Sequence, residues 1–311
     1  MQSELFRRLA ASAALVGSAV LWGTPIPVIG EMMTRWDPLA LGAVRYALAL
    51  PLMLVITAAS LGWKWPPLRP DGVSPLWLAL VGGGGLAGFA ILYIVALGLM
   101  DPGTAAVIAA MAPITSGVVS LAFGEKPSRG LLLAVLLSVG GAGLAAVDLN
   151  SPDDPIKLQG GEPIFLFAQV LWAWYSLACR RAMPKAPATV VTFATMVPGG
   201  ATLAGACLLA WSAGWIEVWP TVVPVTDYYY IALLGFGSVA LAILFWNVGV
   251  AGIGLIASAL HMNLIPLIAV LTAYALGIEP RWEQIAGGAI VIAGVLQAQL
   301  GYLLRRRRLA D

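Results

Sequence analysis

Residues 75–97 read PLWLALVGGGGLAGFAILYIVAL, 23 residues without a single charged side chain. An α-helix rises 1.5 Å per residue, so about 20 apolar residues cross the hydrocarbon core of a bilayer. Gly82–Gly85 is not a phosphate-binding loop, because no Gly-Lys-Ser/Thr follows it. With Gly84 and Gly88 four residues apart, close packing of one membrane helix on another is the expectation.

The pattern extends in both directions. Further apolar runs are Leu9 to Met32, Leu39 to Leu61, Gly103 to Phe123, Gly130 to Val147, Gly161 to Arg181, Thr189 to Ala213, Asp227 to Val250, Gly254 to Leu276 and Trp282 to Leu304. With Pro75 to Leu97 these make ten expected transmembrane helices in an all-α membrane protein. Leu9 to Met32 is too long for the core of a signal peptide and reads as a retained helix. Composition agrees. The chain has 311 residues, 60% hydrophobic and only 10% charged, with mean hydropathy +0.90. A soluble domain carries roughly 25% charged residues. That deficit leaves too little polar surface to cover a water-facing globule. Cys179 and Cys207 fall inside apolar runs without metal-site spacing, and read as packing residues.

Basic residues set the orientation. With a cytoplasmic N-terminus, 13 of the 17 Lys and Arg residues fall inside, from Arg7 and Arg8 to Arg305–Arg308. Only Arg35, Lys157 and Arg281 fall outside, and Arg45 lies within helix two. This is the positive-inside bias, and it predicts both termini in the cytoplasm of a bacterial-type inner membrane. The basic tail after the last helix reads as a topology anchor, with no nucleic-acid partner expected.

The chain also repeats itself. Gly82, Gly84, Tyr93, Pro113, Gly124, Pro127 and Gly141 recur 153 residues later as Gly235, Gly237, Trp246, Pro266, Gly277, Pro280 and Gly294. Val20-Leu21-Trp22 matches Val170-Leu171-Trp172. Each half holds five helices, an odd number, so the second enters the membrane from the opposite side. The expected architecture is two inverted five-helix repeats, 1–148 and 161–304, with an external linker 149–160 and a basic tail 305–311. Such a repeat places a site near the midplane between the halves.

On these features the sequence resembles the EamA-type drug/metabolite transporters, over most of the chain. The resemblance rests on Leu21-Trp22-Gly23, Arg45, Ala96-Leu97 leading through Pro113 to Gly124-Glu125, and then Trp246-Asn247, Ala257-Ser258, Pro266 and Gly277. It implies a secondary transporter without ATP, working by alternating access, in a family that includes exporters of amino acids and other metabolites. Helix seven has no basic residue matching Arg45, so that feature belongs to the first half only.

Polar groups at membrane depth are costly and mark candidate function. Arg45 suits a substrate carboxylate or an external gate; a salt bridge to Glu31 or Asp37, or snorkelling, is the structural alternative. His261 and Asn263 suit substrate or proton binding, against hydrogen-bonded packing. Trp22, Tyr93, Trp172, Tyr175, Trp246 and Asn247 suit an aqueous cavity, against a packed aromatic core. Pro25, Pro27, Pro113 and Pro266 each remove a backbone donor and read as bend points. No Asp or Glu lies near a helix centre, which favours facilitative or weakly proton-linked transport. No catalytic residue, metal or cofactor is expected, and a monomer moving a small molecule is. The reading is export of amino acids or related neutral or zwitterionic compounds; the alternative is a membrane enzyme or flippase acting on a lipid-linked substrate.

Overall fold

A computed structural model of the chain describes residues 2–99, 105, 108–125, 129–146, 160–217, 220, 222–275, 277, 279 and 281–307. Nearly all of linker 149–160, residues 308–311 of the tail, and Asp148, Pro127 and Pro280 lie outside the described residues. The helices are α1 (Gln2–Gly23), α2 (Ile26–Met32), α3 (Pro38–Ser60), α4 (Pro75–Leu97), α5 (Ala112–Ala122), α6 (Arg129–Ala146), α7 (Glu162–Ala182), α8 (Ala188–Ser212), α9 (Val225–Ile253), α10 (Leu255–Met262), α11 (Leu264–Ala275) and α12 (Trp282–Arg307). No strand occurs among the described residues.

Local chemistry starts these helices. Asp37 caps α3, its Oδ1 accepting from Leu39 N at 2.8 Å and Ala40 N at 3.2 Å, with Pro38 at the first helical position. Ser74 caps α4 the same way, accepting from Trp77 N at 3.1 Å. Gly124 and Gly277, equivalent in the repeat, follow α5 and α11 with φ of 80° and 88°, a left-handed conformation that favours glycine.

Among the described residues, six helices are long and apolar enough to span a membrane: Glu4–Gly23, Pro38–Ser60, Pro75–Leu97, Ala188–Ser212, Val225–Ile253 and Leu255–Thr272. The expected helix one is interrupted at Thr24 and Pro25, between α1 and α2. The expected helix nine is interrupted at Asn263, between α10 and α11. The α5 segment begins after a turn at Met111. Helix α7 carries Gln169, Trp172, Trp174 and Tyr175, which make it less apolar than a lipid-facing rod.

The two halves exchange contacts reciprocally. A Cβ on Gly141 would lie 2.6 Å from Gly287 O and 2.8 Å from Val291 N. A Cβ on Gly294 would lie 3.0 Å from Ala134 O and 3.1 Å from Ser138 N. Exchanging each position for its equivalent 153 residues away in the other half converts one set into the other. Asn263 Nδ2 donates to the carbonyl of Ala110, its own equivalent, at 3.2 Å, and to Ser138 Oγ at 3.0 Å. Trp22 and Trp172, equivalent at an offset of 150, meet edge-on with centroids 5.7 Å apart. These are contacts across a pseudo-two-fold axis. The equivalent helices α6 and α12 run antiparallel, because rising numbers on one meet falling numbers on the other. The axis is therefore perpendicular to both.

Each half also contains a nine-residue π-helical segment, Ala79–Ala87 in α4 and Leu233–Leu241 in α9, within one residue of the same repeat position. This corrects the expectation for Gly84, while Gly88 does pack closely, a Cβ there lying 3.2 Å from Leu171 Cδ1 on α7. Gly84 faces open space, whereas Gly82 abuts Thr195 O and Pro198, and a Cβ on Gly85 would lie 2.9 Å from Tyr175 Cβ. The wider π winding turns Gly82 and Gly85 onto the packed face.

The ends of the bundle are marked by exposed tryptophans. Trp63 and Trp65 follow α3; Trp211 and Trp215 end α8. Since α3 and α8 pack antiparallel (Gly42 on Leu203, Gly200 on Leu50), these pairs sit at opposite ends, as interfacial belts require. Polar ties close both ends. Asp227, fully buried, accepts from Arg35 Nη2 at 2.7 Å and Trp36 Nε1 at 2.8 Å. That hydrogen bond raises the Arg35 pKa above its ordinary value and keeps it cationic. At the other end Glu125 pairs with Arg180 and Arg181, and Asp71 accepts from Lys185 N at 3.0 Å.

Candidate functional site

Aromatic rings from both halves meet in one knot. Trp172 lies 5.5 Å from Trp246, 5.4 Å from Tyr175 and 5.0 Å from Phe89, centroid to centroid. Trp22 lies 6.2 Å from Trp246. Phe89 stacks on Tyr93 at 5.7 Å, and Tyr93 meets Phe165 at 5.1 Å. Six of the expected substrate-binding residues, Trp22, Tyr93, Trp172, Tyr175, Trp246 and Asn247, thus fall in one place on α1, α4, α7 and α9.

They divide into a wall and a lining. Trp246 and Tyr175 are fully buried. Trp246 Nε1 donates to Ser176 Oγ at 2.9 Å. Asn247 Nδ2 donates to Tyr175 OH at 3.1 Å and to Thr192 Oγ1 at 2.9 Å. Tyr175 OH in turn meets Thr195 Oγ1 at 3.3 Å. Buried donors with partners hold the rings rigidly. Trp22 and Trp172 are partly buried and Tyr93 is 36% exposed, so these offer their surfaces. Trp22 is pinned to the π segment of α9, its Nε1 donating to Ser238 O at 2.7 Å. Ser18 and Ser238 add hydrogen bonds to Ala242 O and Leu21 O, at 2.6 and 2.7 Å. Trp22 sits just before the interruption at Thr24 and Pro25, so movement of α2 need not disturb it.

Arg45 stands on α3, near enough to Tyr46 and Tyr93 to interact electrostatically. Its Nε is buried without a hydrogen-bond partner. The two acids nominated for it are engaged elsewhere. Glu31 pairs with Arg35 at 3.3 Å, and Asp37 caps α3. Among the described residues no acid pairs with Arg45, which stands half-buried beside the aromatic knot.

His261 and Asn263 make no hydrogen bond to the knot among the described residues, though Ala259 and Met262 of α10 pack in its cluster. His261 is 2% exposed, with Nδ1 at 2.8 Å from Ala257 O of its own helix. Asn263 pins the interruption between α10 and α11 against Ala110 and Ser138. Pro25 precedes α2 and Pro27 lies in its first turn. Pro113 and Pro266 each fall just after a helix interruption, at Met111 and Asn263. A shallow surface pocket lined by Arg35, Glu217, Pro220 and Val222 lies at the Arg35 end, away from the rings. Sequence reasoning missed Ser18, Ser176, Thr192, Thr195 and Ser238. Small hydroxyls in apolar helices carry no signal until the partner, 20 to 224 residues away, is known. It also missed Glu283.

Known proteins of similar sequence can be set beside this geometry. An uncharacterized transporter of Bacillus subtilis, YyaM, is 26% identical over 288 residues, covering 91% of this chain and 92% of its own. The uncharacterized inner membrane transporter YedA of Escherichia coli K12 is 29% identical, covering 93% of this chain and 91% of its own. A protein of Streptantibioticus cattleyicolor named a probable terminal-alkyne amino-acid exporter is 26% identical, covering 94% and 95%. A solved crystal structure superposes with a TM-score of 0.76 at 22% identity, over 94% of this chain and 98% of that one, and so shares the fold. The EamA-like transporter family matches twice, over residues 9–147 and 159–298, once on each half of the pseudo-two-fold. The chain is an integral membrane protein and belongs to the EamA-like transporter family.

Proposed function

We propose that this transporter exports amino acids or closely related neutral or zwitterionic compounds across the bacterial inner membrane, by alternating access and without ATP. Arg45, with its buried Nε unpartnered and beside the aromatic knot, carries the reading. A guanidinium matches a carboxylate fork to fork. The faces of Trp22 and Trp172 suit an apolar side chain or an ammonium group held by cation–π attraction. One small molecule with an acid at one end and an apolar or cationic body satisfies both. The name borne by the Streptantibioticus relative is of the same kind. Alternating access is supported by the two-fold relation and by the polar ties at both ends, which must open in turn.

The test is uptake into proteoliposomes of labelled phenylalanine, tryptophan and leucine beside phenethylamine and 3-phenylpropionate. Phenylalanine is expected to lead, with each analogue lower by about 10-fold or more, the worth of one lost charged hydrogen bond. Turnover of nucleotides, sugar phosphates or a lipid-linked substrate alone would sink the reading.

The same proposal places ten helices in the membrane as two inverted five-helix repeats, 1–148 and 161–304, with both termini cytoplasmic and a monomer as the working unit. The basic-residue bias and the tryptophans at both ends support it. Cysteines introduced in 150–160 are expected to react from outside, and those in 305–311 only from inside. Cys179 and Cys207 are buried and add little background. Termini on opposite sides would remove the ten-helix count.

A further inference from the structure

Glu283 lies in the first turn of α12 and is fully buried. Neither carboxylate oxygen has a hydrogen-bond partner. An ionised carboxylate removed from water without a partner is among the most costly arrangements a protein can hold. A first-turn glutamate usually gains from the helix dipole while remaining in water; this one is sealed. Its position precedes Gly287 by one turn, on the face that α12 turns to α6. The equivalent position in the first repeat is Gly130, so the packing of the two halves does not require an acid there.

Among the described residues no counter-charge reaches it. On α11 the titratable group is Tyr274, 60% exposed. On α10 it is His261, already against Ala257 O. The described part of α6 has only Arg129, at the far end of the antiparallel pair. Glu279 and Arg281 precede the helix, and no ion pair joins Arg281 to Glu283 among the described residues.

We propose that Glu283 is a proton-binding site through which transport draws on the transmembrane proton gradient. The carboxylate takes up one proton to become a neutral acid, which suits its sealed, unpartnered position, and gives the proton back when a change of state admits water. Coupling needs a group whose protonation differs between the two access states. The expectation of facilitative transport rested on the lack of an acid at a helix centre. Packing, rather than depth, isolates this one.

The proton step is measurable without any substrate. Proteoliposomes holding the full chain are adsorbed on a solid-supported membrane and given a pH jump. The wild type is expected to give a transient charge displacement. Glu283→Gln should reduce it by about tenfold, within the usual range of coupling energies. The surface variant Glu217→Gln should leave it unchanged. An absent wild-type displacement, or an undiminished one in Glu283→Gln, overturns the proposal. Glu283→Asp keeps the acid and serves if the glutamine variant does not fold; its displacement should persist at a shifted midpoint pH, and an unshifted midpoint counts against the site. A second arm, which rests on the amino-acid reading, uses labelled phenylalanine. Glu283→Gln should exchange it at equal pH close to the wild-type rate, yet lose accumulation driven by a pH difference; accumulation equal to wild type overturns the coupling. A wild type that does not move phenylalanine removes the substrate reading and leaves the displacement result standing.

Discussion

Replacing Arg45 by methionine is expected to cut transport by about tenfold or more while making the protein harder to unfold. The two signs are the point of the experiment. In the free protein the guanidinium has a buried, unpartnered Nε and no ion pair among the described residues. Methionine has a similar reach and no charge to desolvate, so the folded state gains. A substrate carboxylate that arrives at this position loses its partner. A charged hydrogen bond is worth about 1.5–3 kcal/mol, so transport at low substrate should fall by roughly 10- to 150-fold. Arg45→Lys keeps the charge and loses the planar fork, and belongs between the two. Thermal unfolding in detergent and phenylalanine uptake read the two effects separately. If methionine lowers both together, Arg45 is part of the scaffold and the carboxylate contact is wrong.

The second large effect concerns helix packing. Gly82→Ala is expected to destabilise strongly, by about 1–3 kcal/mol or more, as overpacking does. The added Cβ abuts Thr195 O and lies 2.6 Å from Pro198 Cγ, and a backbone carbonyl in the middle of α8 cannot step aside. Gly84→Ala, two residues on and facing open space, should be neutral or gain about 0.5–1 kcal/mol from lost backbone freedom in the unfolded chain. Gly235→Ala, the repeat equivalent of Gly82, should lie between them, since its Cβ would be 2.9 Å from Leu48 Cβ and 3.1 Å from Arg45 O. Unfolding temperatures of the three variants give the order directly. Equal effects at Gly82 and Gly84 would mean that α4 is not π-wound there.

The reading of Gly84 failed for a specific reason. A four-residue spacing presumes 3.6 residues per turn, and the segment Ala79–Ala87 is wound more widely. The reading of His261 and Asn263 as binding candidates rested on depth alone. Depth does not say which face of α10 meets which helix. The aromatic residues were found because a polar-edged ring away from the interfaces is rare enough to be noticed in one dimension. Their hydroxyl partners were not, because serine and threonine are ordinary in membrane helices.

By itself the sequence determined that the chain is helical, membrane-embedded and duplicated. Lipid is a solvent that accepts only long apolar helices with their backbone bonds closed, so run length and charge exclusion are enough. A constant spacing of glycines and prolines survives in one dimension whatever the chain does in three. Only the tertiary structure decided which polar groups are paired. Asp227 has Arg35 and Trp36, Glu125 has Arg180, while Arg45 Nε and Glu283 have none. The energy of a charge in a membrane depends on its nearest partner, and those partners come from helices 55 to 192 residues away along the chain. Packing brings them together, and it is packing that leaves Arg45 Nε and the Glu283 carboxylate without a partner.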